Sequence, residues 1–245
     1  MLRYRLIQAR TREEPVREEE RASFAARLDV PLDAIQPCDA LAGDLDFASV
    51  CDGFDVILVG GSGKFSVTDK TPWMRAFIDT LGEIADRQFP TFASCFGFQG
   101  FAVALGAEVH KDPPSAEVGT FEISLTEAGQ QDPLFGTLPL RFNAQEGHKD
   151  RAMSMPSGVT LLAESARCPF QAMRIGDGLV YATQFHPELT AEDNRHRFSR
   201  YLTEYSEAFG TDRAQAMLDE FQPSPHASGL LRRYRSLVEH QARSG

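Results

Sequence analysis

Cys95 lies in "PTFASCFGFQG", between a short apolar run and a stretch with helical spacing over residues 97–105. A strand that turns sharply into a helix holds its turn residue at the carboxyl edge of an α/β sheet, where ligands bind. Such an elbow has a strained backbone, and the small residues Ala93 and Gly97 on either side permit it. A thiol there sits at the positive end of the helix, which favours the thiolate. The backbone N–H of Phe96 points where an oxyanion would form. A buried cysteine in a tight turn fits the same stretch, so by itself it leaves both readings open.

His186 and Glu188 stand two apart in "YATQFHPEL". In an extended backbone residues i and i+2 share a side, so the carboxylate can hold the imidazole in the tautomer a general base needs. An ordinary loop His and Glu before a capped helix is the plainer alternative. A third stretch, "VILVGGSGKF", puts glycines after a buried strand, where backbone N–H groups can approach a ligand closely. It is not a phosphate loop, because Leu58 replaces the first required glycine and Phe65 the Ser or Thr after Lys64. A second oxyanion donor, from Gly61 or its neighbour, is the better use. A plain strand-to-loop turn fits as well.

The elements that must position these residues alternate in the first half. "LRYRLIQA" reads as a strand, 17–28 as a mostly solvent-facing helix, "AIQPCDAL" as a short strand and Val56–Val59 as a strand buried on both faces. Thr71 is an N-cap with Pro72 at the first helical position, and Trp73, Met74, Phe77, Ile78, Leu81 and Ile84 form one stripe. "PTFAS" is a strand, and Gly106 closes the helix after Cys95. This predicts a doubly wound, mostly parallel sheet of flavodoxin-like type. The second half holds "EVGTFEISLT", "LRFNAQE", "VTLLAES", "FQAMRI" and "LVYATQF", strands with turn signals between them, which predict an antiparallel extension. One helix follows over 190–209, opened by a capping box of Thr190 and Asp193. Residues 1–210 form the expected domain. Residues 211–245 form a C-terminal helical extension packed on it, with Arg232, Arg233 and Arg235 as a solvated face.

The totals agree. A chain of 245 residues can bury a sizeable core, and a net charge of −10 disfavours nucleic acid and anionic membranes. No apolar run has bilayer-spanning length, and the charged N-terminus lacks a signal-peptide core, so the expected location is cytoplasmic. The four cysteines form no CxxC and no His pair has zinc-ligand spacing, so no metal site is expected. No cofactor is expected either. Cys38, Cys51 and Cys168 read as ordinary packing residues.

Taken in order, "GGSG", "CFGFQG" and "TQFHPE" resemble the class I glutamine amidotransferases, with their Cys-His-Glu triad. The resemblance covers roughly residues 50–205 and extends through "EVGTFEISLT", "DPLF" and "EGHKD", which look like stand-alone proteins similar to the glutaminase domain of GMP synthase. It implies Cys95 as nucleophile, His186 as general base and Glu188 as the group that orients it. Backbone amides of Gly61 and Phe96 would form the oxyanion hole. Gly60, Ser62, Gln99, Glu146, Gly147 and His148 would contact substrate, although a surface loop is the plainer reading of His148. The family usually has Gly at Ala93, often His at Phe98, and Pro at Ser62. The implied reaction is hydrolysis of the γ-amide of glutamine through a cysteine thioester, releasing glutamate and ammonia. No ATP-binding pattern is present, so any ammonia acceptor would need a separate synthase chain as partner. A γ-glutamyl peptidase or amidohydrolase with the same triad, and a non-catalytic binding protein on this fold, are the rival readings.

Overall fold

The computed structural model describes residues 2–244, so the first and last residues of the two expected segments lie outside it. Strands β1 (Tyr4–Gln8), β2 (Ile35–Asp39), β3 (Val56–Val59) and β4 (Thr91–Ser94) alternate with helices α1 (Val16–Leu28), α2 (Phe47–Cys51) and α3 (Pro72–Asp86), and α4 (Phe96–Ala104) follows β4. Then come β5 (Val109–Lys111), β6 (Glu117–Leu125), α5 (Glu127–Gln131), β7 (Arg141–His148), β8 (Asp150–Ala152), β9 (Val159–Ser165), β10 (Ala172–Ile175) and β11 (Val180–Thr183). Helices α6 (Ala191–Arg200), α7 (Leu202–Phe209), α8 (Thr211–Met217), α9 (Pro225–Ser228) and α10 (Leu230–Ser244) complete the chain.

Nine strands form one sheet in the order β2-β1-β3-β4-β11-β10-β9-β6-β7. The first five run parallel. From β11 onward each neighbour is antiparallel, which is the expected extension. Side chains alternate across the sheet, so the parallel strands feed two cores. Leu6, Leu58 and Phe92 face one core with Phe24 and Leu28 of α1 and Leu230, Leu231 and Tyr234 of α10. Ile7, Val59 and Ala93 face the other, with Phe77, Leu81 and Ile84 of α3 and Phe98 and Phe101 of α4. Burial on both faces explains why these strands read as continuous apolar runs.

Local expectations meet the structure with three corrections. Thr71 caps α3 at Met74 N, and Thr190 with Asp193 forms the capping box of α6. The single helix expected over 190–209 is broken at Tyr201 into α6 and α7, and Phe198 stacks on Tyr205 with ring centroids 4.3 Å apart. Helix α1 is not simply solvent-facing: Glu20 lies on its buried stripe with Val16, Phe24 and Leu28. Arg235 is not merely solvated, since its guanidinium reaches back to Asp29 on the turn after α1. Among the described residues no helix is long and apolar enough to cross a membrane.

Candidate active site

Three adjacent parallel strands carry the three chemistry-bearing stretches to one sheet edge. The Gly-Gly loop leaves β3, Cys95 leaves β4, and His186 follows the end of β11 by three residues. The pairing runs off the strand ends: Ser94 is in register with Thr183, and Cys95 N–H donates to the Thr183 carbonyl at 2.8 Å. Strand order, not sequence distance, brings a residue at 95 to one at 186.

Cys95 is the N-cap of α4 at φ +51°, ψ −98°, a backbone conformation that L-residues rarely adopt. Such strain persists only where the surroundings over-determine it. Here the crossing of helix and strand is very close. A Cβ on Gly97 would lie 2.8 Å from Val59 Cβ and 2.9 Å from Ala93 Cβ, so Gly97 lets α4 start directly above the sheet. The small residues around Cys95 serve that approach.

His186, Pro187 and Glu188 form a turn closed by Leu189 N–H to the His186 carbonyl at 3.2 Å, not the extended segment expected. The two side chains meet nonetheless: His186 Nδ1 is 2.6 Å from Glu188 Oε1. A carboxylate accepts, so Nδ1 carries the proton and Nε2 is left free to accept one. The His186 amide is itself anchored to the Gln145 carbonyl of β7 at 2.8 Å. Gly61 lies against both side chains. A Cβ there would lie 3.0 Å from His186 Cε1 and 3.8 Å from Cys95 Cβ.

The electrostatics differ from the thiolate expected at a helix terminus. Burial raises the Cys95 thiol well above its ordinary range, and Glu146 and Glu188 raise it further; Arg10 and Arg197 only partly offset this. At rest Cys95 is a thiol. Burial alone would also raise Glu188, but the attraction of His186, their hydrogen bond and Arg197 outweigh it and hold the carboxyl below its usual value. Cys95, His186 and Glu188 are 6%, 5% and 0% exposed, so these interactions act in a low-dielectric setting.

The expected oxyanion and substrate residues separate into two groups. Phe96 is the first residue of α4, so its N–H has no partner within the helix. Gly61 does not present its N–H to the site in this conformation, because that group donates to Glu20 Oε1 at 3.1 Å. Gly60 is likewise occupied, with its N–H on the Ile7 carbonyl and the Glu20 carboxyl against its Cα. Ser62, Gln99 and Gly147 line a cavity of about 520 Å3 with Cys95, Phe96 and His186. Gln99 Nε2 also ties α4 to the Asp150 carbonyl at 2.8 Å and to Gln184 at 3.2 Å. Glu146 and His148 do not line that cavity. Strand β7 continues through His148, so both alternate with Gly147 and point into a buried cluster with Glu117. His148 is therefore a core residue and not part of a surface loop.

Sequence reasoning missed the buried pair Arg10 and Glu20, joined at 3.1 and 2.9 Å. Its signal was a charged residue at the i+4 position between Val16 and Phe24 on an apolar stripe. It also missed the wall supplied by Asn194, Arg197, Phe198 and Tyr201 of the α6–α7 region and Tyr205 of α7. That wall depends on where the later helices fold back, which no local pattern encodes.

The model of the glutamine amidotransferase class-I family matches residues 34–202, well over half of the chain. The chain belongs to this family, and membership supports hydrolysis or transfer of the amide of glutamine in general. It is 35% identical over 135 residues to the glutamine-hydrolyzing GMP synthase of Thermosipho africanus, a match covering 55% of this chain and 24% of that protein. The match thus spans about a quarter of that relative. The chain is 31% identical over 150 residues to one subunit of the glutamine-hydrolyzing GMP synthase of Thermoplasma acidophilum, covering 60% of this chain and 68% of that one. A glutamine amidotransferase of Thermotoga maritima has the same fold with a TM-score of 0.70, at 19% identity over 98% of this chain and 97% of that chain.

Proposed function

We propose that this protein hydrolyses the γ-amide of glutamine through a thioester on Cys95, releasing glutamate and ammonia. The observation that carries the reading is the strained elbow cysteine at one sheet edge with a His186–Glu188 pair held at 2.6 Å. His186 Nε2 takes the thiol proton as sulfur bonds to the amide carbon. The resulting oxyanion is stabilised by the Phe96 amide, joined by a second donor once the Gly61 peptide turns or through the neighbouring Ser62 amide. The tetrahedral intermediate collapses, the C–N bond breaks, and His186 returns the proton to the leaving nitrogen as ammonia. Water, deprotonated by His186, then attacks the thioester and regenerates the thiol. Glu188 stabilises the imidazolium formed at each step.

On this reading the ammonia passes to a synthase chain, as the naming of the Thermoplasma relative for one part of a synthase suggests, and the reaction is cytoplasmic. A second reading has its own observation. The cavity is lined by Lys64, Lys111 and Lys149 against Asp69 and Asp150, with residues of the chain's own α6 and α7 forming a wall, a setting suited to a charged γ-glutamyl compound larger than glutamine. A diazo-ketone or chloro-ketone analogue of glutamine, followed by mass spectrometry, tests both. Labelling at Cys95 that glutamine blocks and His186→Ala abolishes supports the first. Labelling at Cys95 that only a γ-glutamyl peptide blocks supports the second. No selective labelling of Cys95 overturns the catalytic reading.

A further inference from the structure

Behind β7, on the side away from Gly147, four side chains converge in the core. Glu117 of β6 and His148 of β7 are directly opposite in the antiparallel register, Glu146 precedes His148 by two, and Cys168 comes from the turn after β9. Glu117, Glu146 and Cys168 are fully buried and His148 is nearly so. Single donor atoms of Glu117, His148 and Cys168 all lie within 4.8 Å of one another. His148 Nε2 is 3.1 Å from Glu117 Oε2 and 3.6 Å from Glu146 Oε2.

Two features are compatible with a bound cation. First, His148 Nδ1 is 3.0 Å from the Asp150 carbonyl, which can only accept, so Nδ1 carries a proton. Nε2 then faces the Glu117 and Glu146 carboxyl groups, a position that either a proton on Nε2 or a metal ion between them would fill. Second, neither oxygen of Glu146 has a hydrogen-bond partner, although the side chain is fully buried. A fully buried carboxylate without a donor is neutralised by a proton or paired with a cation, and a metal ion would do the latter. The nearby cation Arg151 is already held by Asp112 at 2.7 Å.

We propose that Glu117, His148 and Cys168, with Glu146 as fourth ligand, form a buried structural site for a borderline-soft divalent cation, zinc by donor type. One nitrogen, one sulfur and carboxylate oxygens are zinc's usual ligands, and four protein ligands close the site to substrate. Tetrahedral zinc with these bonds separates its ligand atoms by roughly 3.3–3.8 Å. His148 Nε2 stands 3.1 and 3.6 Å from the Glu117 and Glu146 carboxyl oxygens, and the Cys168 sulfur lies within 4.8 Å of the Glu117 and His148 donors. The supporting contacts a metal site needs are present. Asp150 fixes the imidazole, while Ser165 Oγ and Gln171 Nε2 hold Glu117 at 2.7 and 2.6 Å. The ligands come from three separate elements, which is why no ligand spacing appears in the sequence.

The test uses the full chain with Cys95→Ser, which removes the other thiol that could chelate zinc beside a histidine. We expect about one zinc per chain by elemental analysis after dialysis, a raised Tm with zinc, and a thiolate-to-metal charge-transfer band when cobalt(II) is substituted. Adding Cys168→Ser should abolish the band, and Glu146→Gln should weaken zinc binding at least about ten-fold. No retained zinc in the Cys95→Ser protein overturns the proposal. So does zinc retained equally after Cys168→Ser. If the Cys168→Ser protein does not fold, the Glu146→Gln titration decides, and unchanged affinity there also overturns it.

Discussion

Replacing Glu20 tests the frame of the proposed active site without touching Cys95, His186 or Glu188. Its carboxylate is fully buried and accepts from Gln8 Nε2 at 2.9 Å, from Arg10 Nε and Nη2 at 3.1 and 2.9 Å, and from Gly61 N at 3.1 Å. Arg10 is only 2% exposed, and its other carboxylate, Glu14, is 3.9 Å away. Glu20→Ala therefore strands a buried guanidinium and frees the Gly-Gly loop. Breaking such a pair costs about 3–5 kcal/mol. For a chain of this size each kcal/mol moves Tm by about 2–4 °C, so Tm should fall by roughly 6–20 °C. Because Gly61 lies against both Cys95 and His186, kcat for glutamine hydrolysis should also drop about ten-fold or more, measured below the new Tm. Arg10→Met with Glu20→Met removes both charges and should recover at least about 2 kcal/mol relative to Glu20→Ala, because no buried charge is left unpaired. Thermal melts and steady-state ammonia release on the three proteins decide. A Tm within about 2 °C of the parent for Glu20→Ala, with kcat unchanged, refutes the reasoning. So does a double variant no more stable than Glu20→Ala.

Glu188→Gln should lower kcat about 10²–10⁴-fold with little change in KM, since the amide no longer holds the imidazolium; equal kcat in a stopped assay of ammonia release would refute that role. Gly97→Ala should destabilise by about 1–3 kcal/mol, because the new methyl meets Val59 and Ala93 under 3.0 Å; urea melts measure it, and a neutral result would mean that α4 can shift freely. The pH dependence of stability has two limbs. Glu188, held low in the fold, contributes stability that is present above the ordinary carboxylate pKa and lost as pH falls through its lowered value. Cys95, held high, contributes stability that is present below the unfolded thiol pKa of about 8.5 and lost as pH rises above it. Glu188→Gln should flatten the acid limb and Cys95→Ser the alkaline one, in urea midpoints taken across pH; unchanged limbs would contradict these assignments.

Much of this protein is decided locally. The apolar runs of β3 and β4, the Thr71 cap and Trp73–Ile84 stripe of α3, and the Thr190–Asp193 box depend on neighbours in sequence, and each appears where its pattern predicts. The glycine and alanine beside Cys95 are likewise local consequences of a helix that starts directly above a strand. Residue order also suffices to nominate Cys95, His186 and Glu188. What it does not contain is their meeting. That follows from β11 inserting beside β4, a non-local pairing whose hydrogen bonds run to Cys95 N itself. The capture of Gly61 by Glu20 depends on how α1 packs over β1 and β3, so a backbone amide nominated from its loop points elsewhere in the fold. Glu146 and His148 lie in one pentapeptide with Gly147, yet strand alternation sends them to the opposite side, where Glu117 and Cys168 arrive from distant elements. Local sequence fixes which groups exist and which short elements carry them. The strand order and the face each side chain takes decide which groups share a site, because those depend on burying two sheet faces at once.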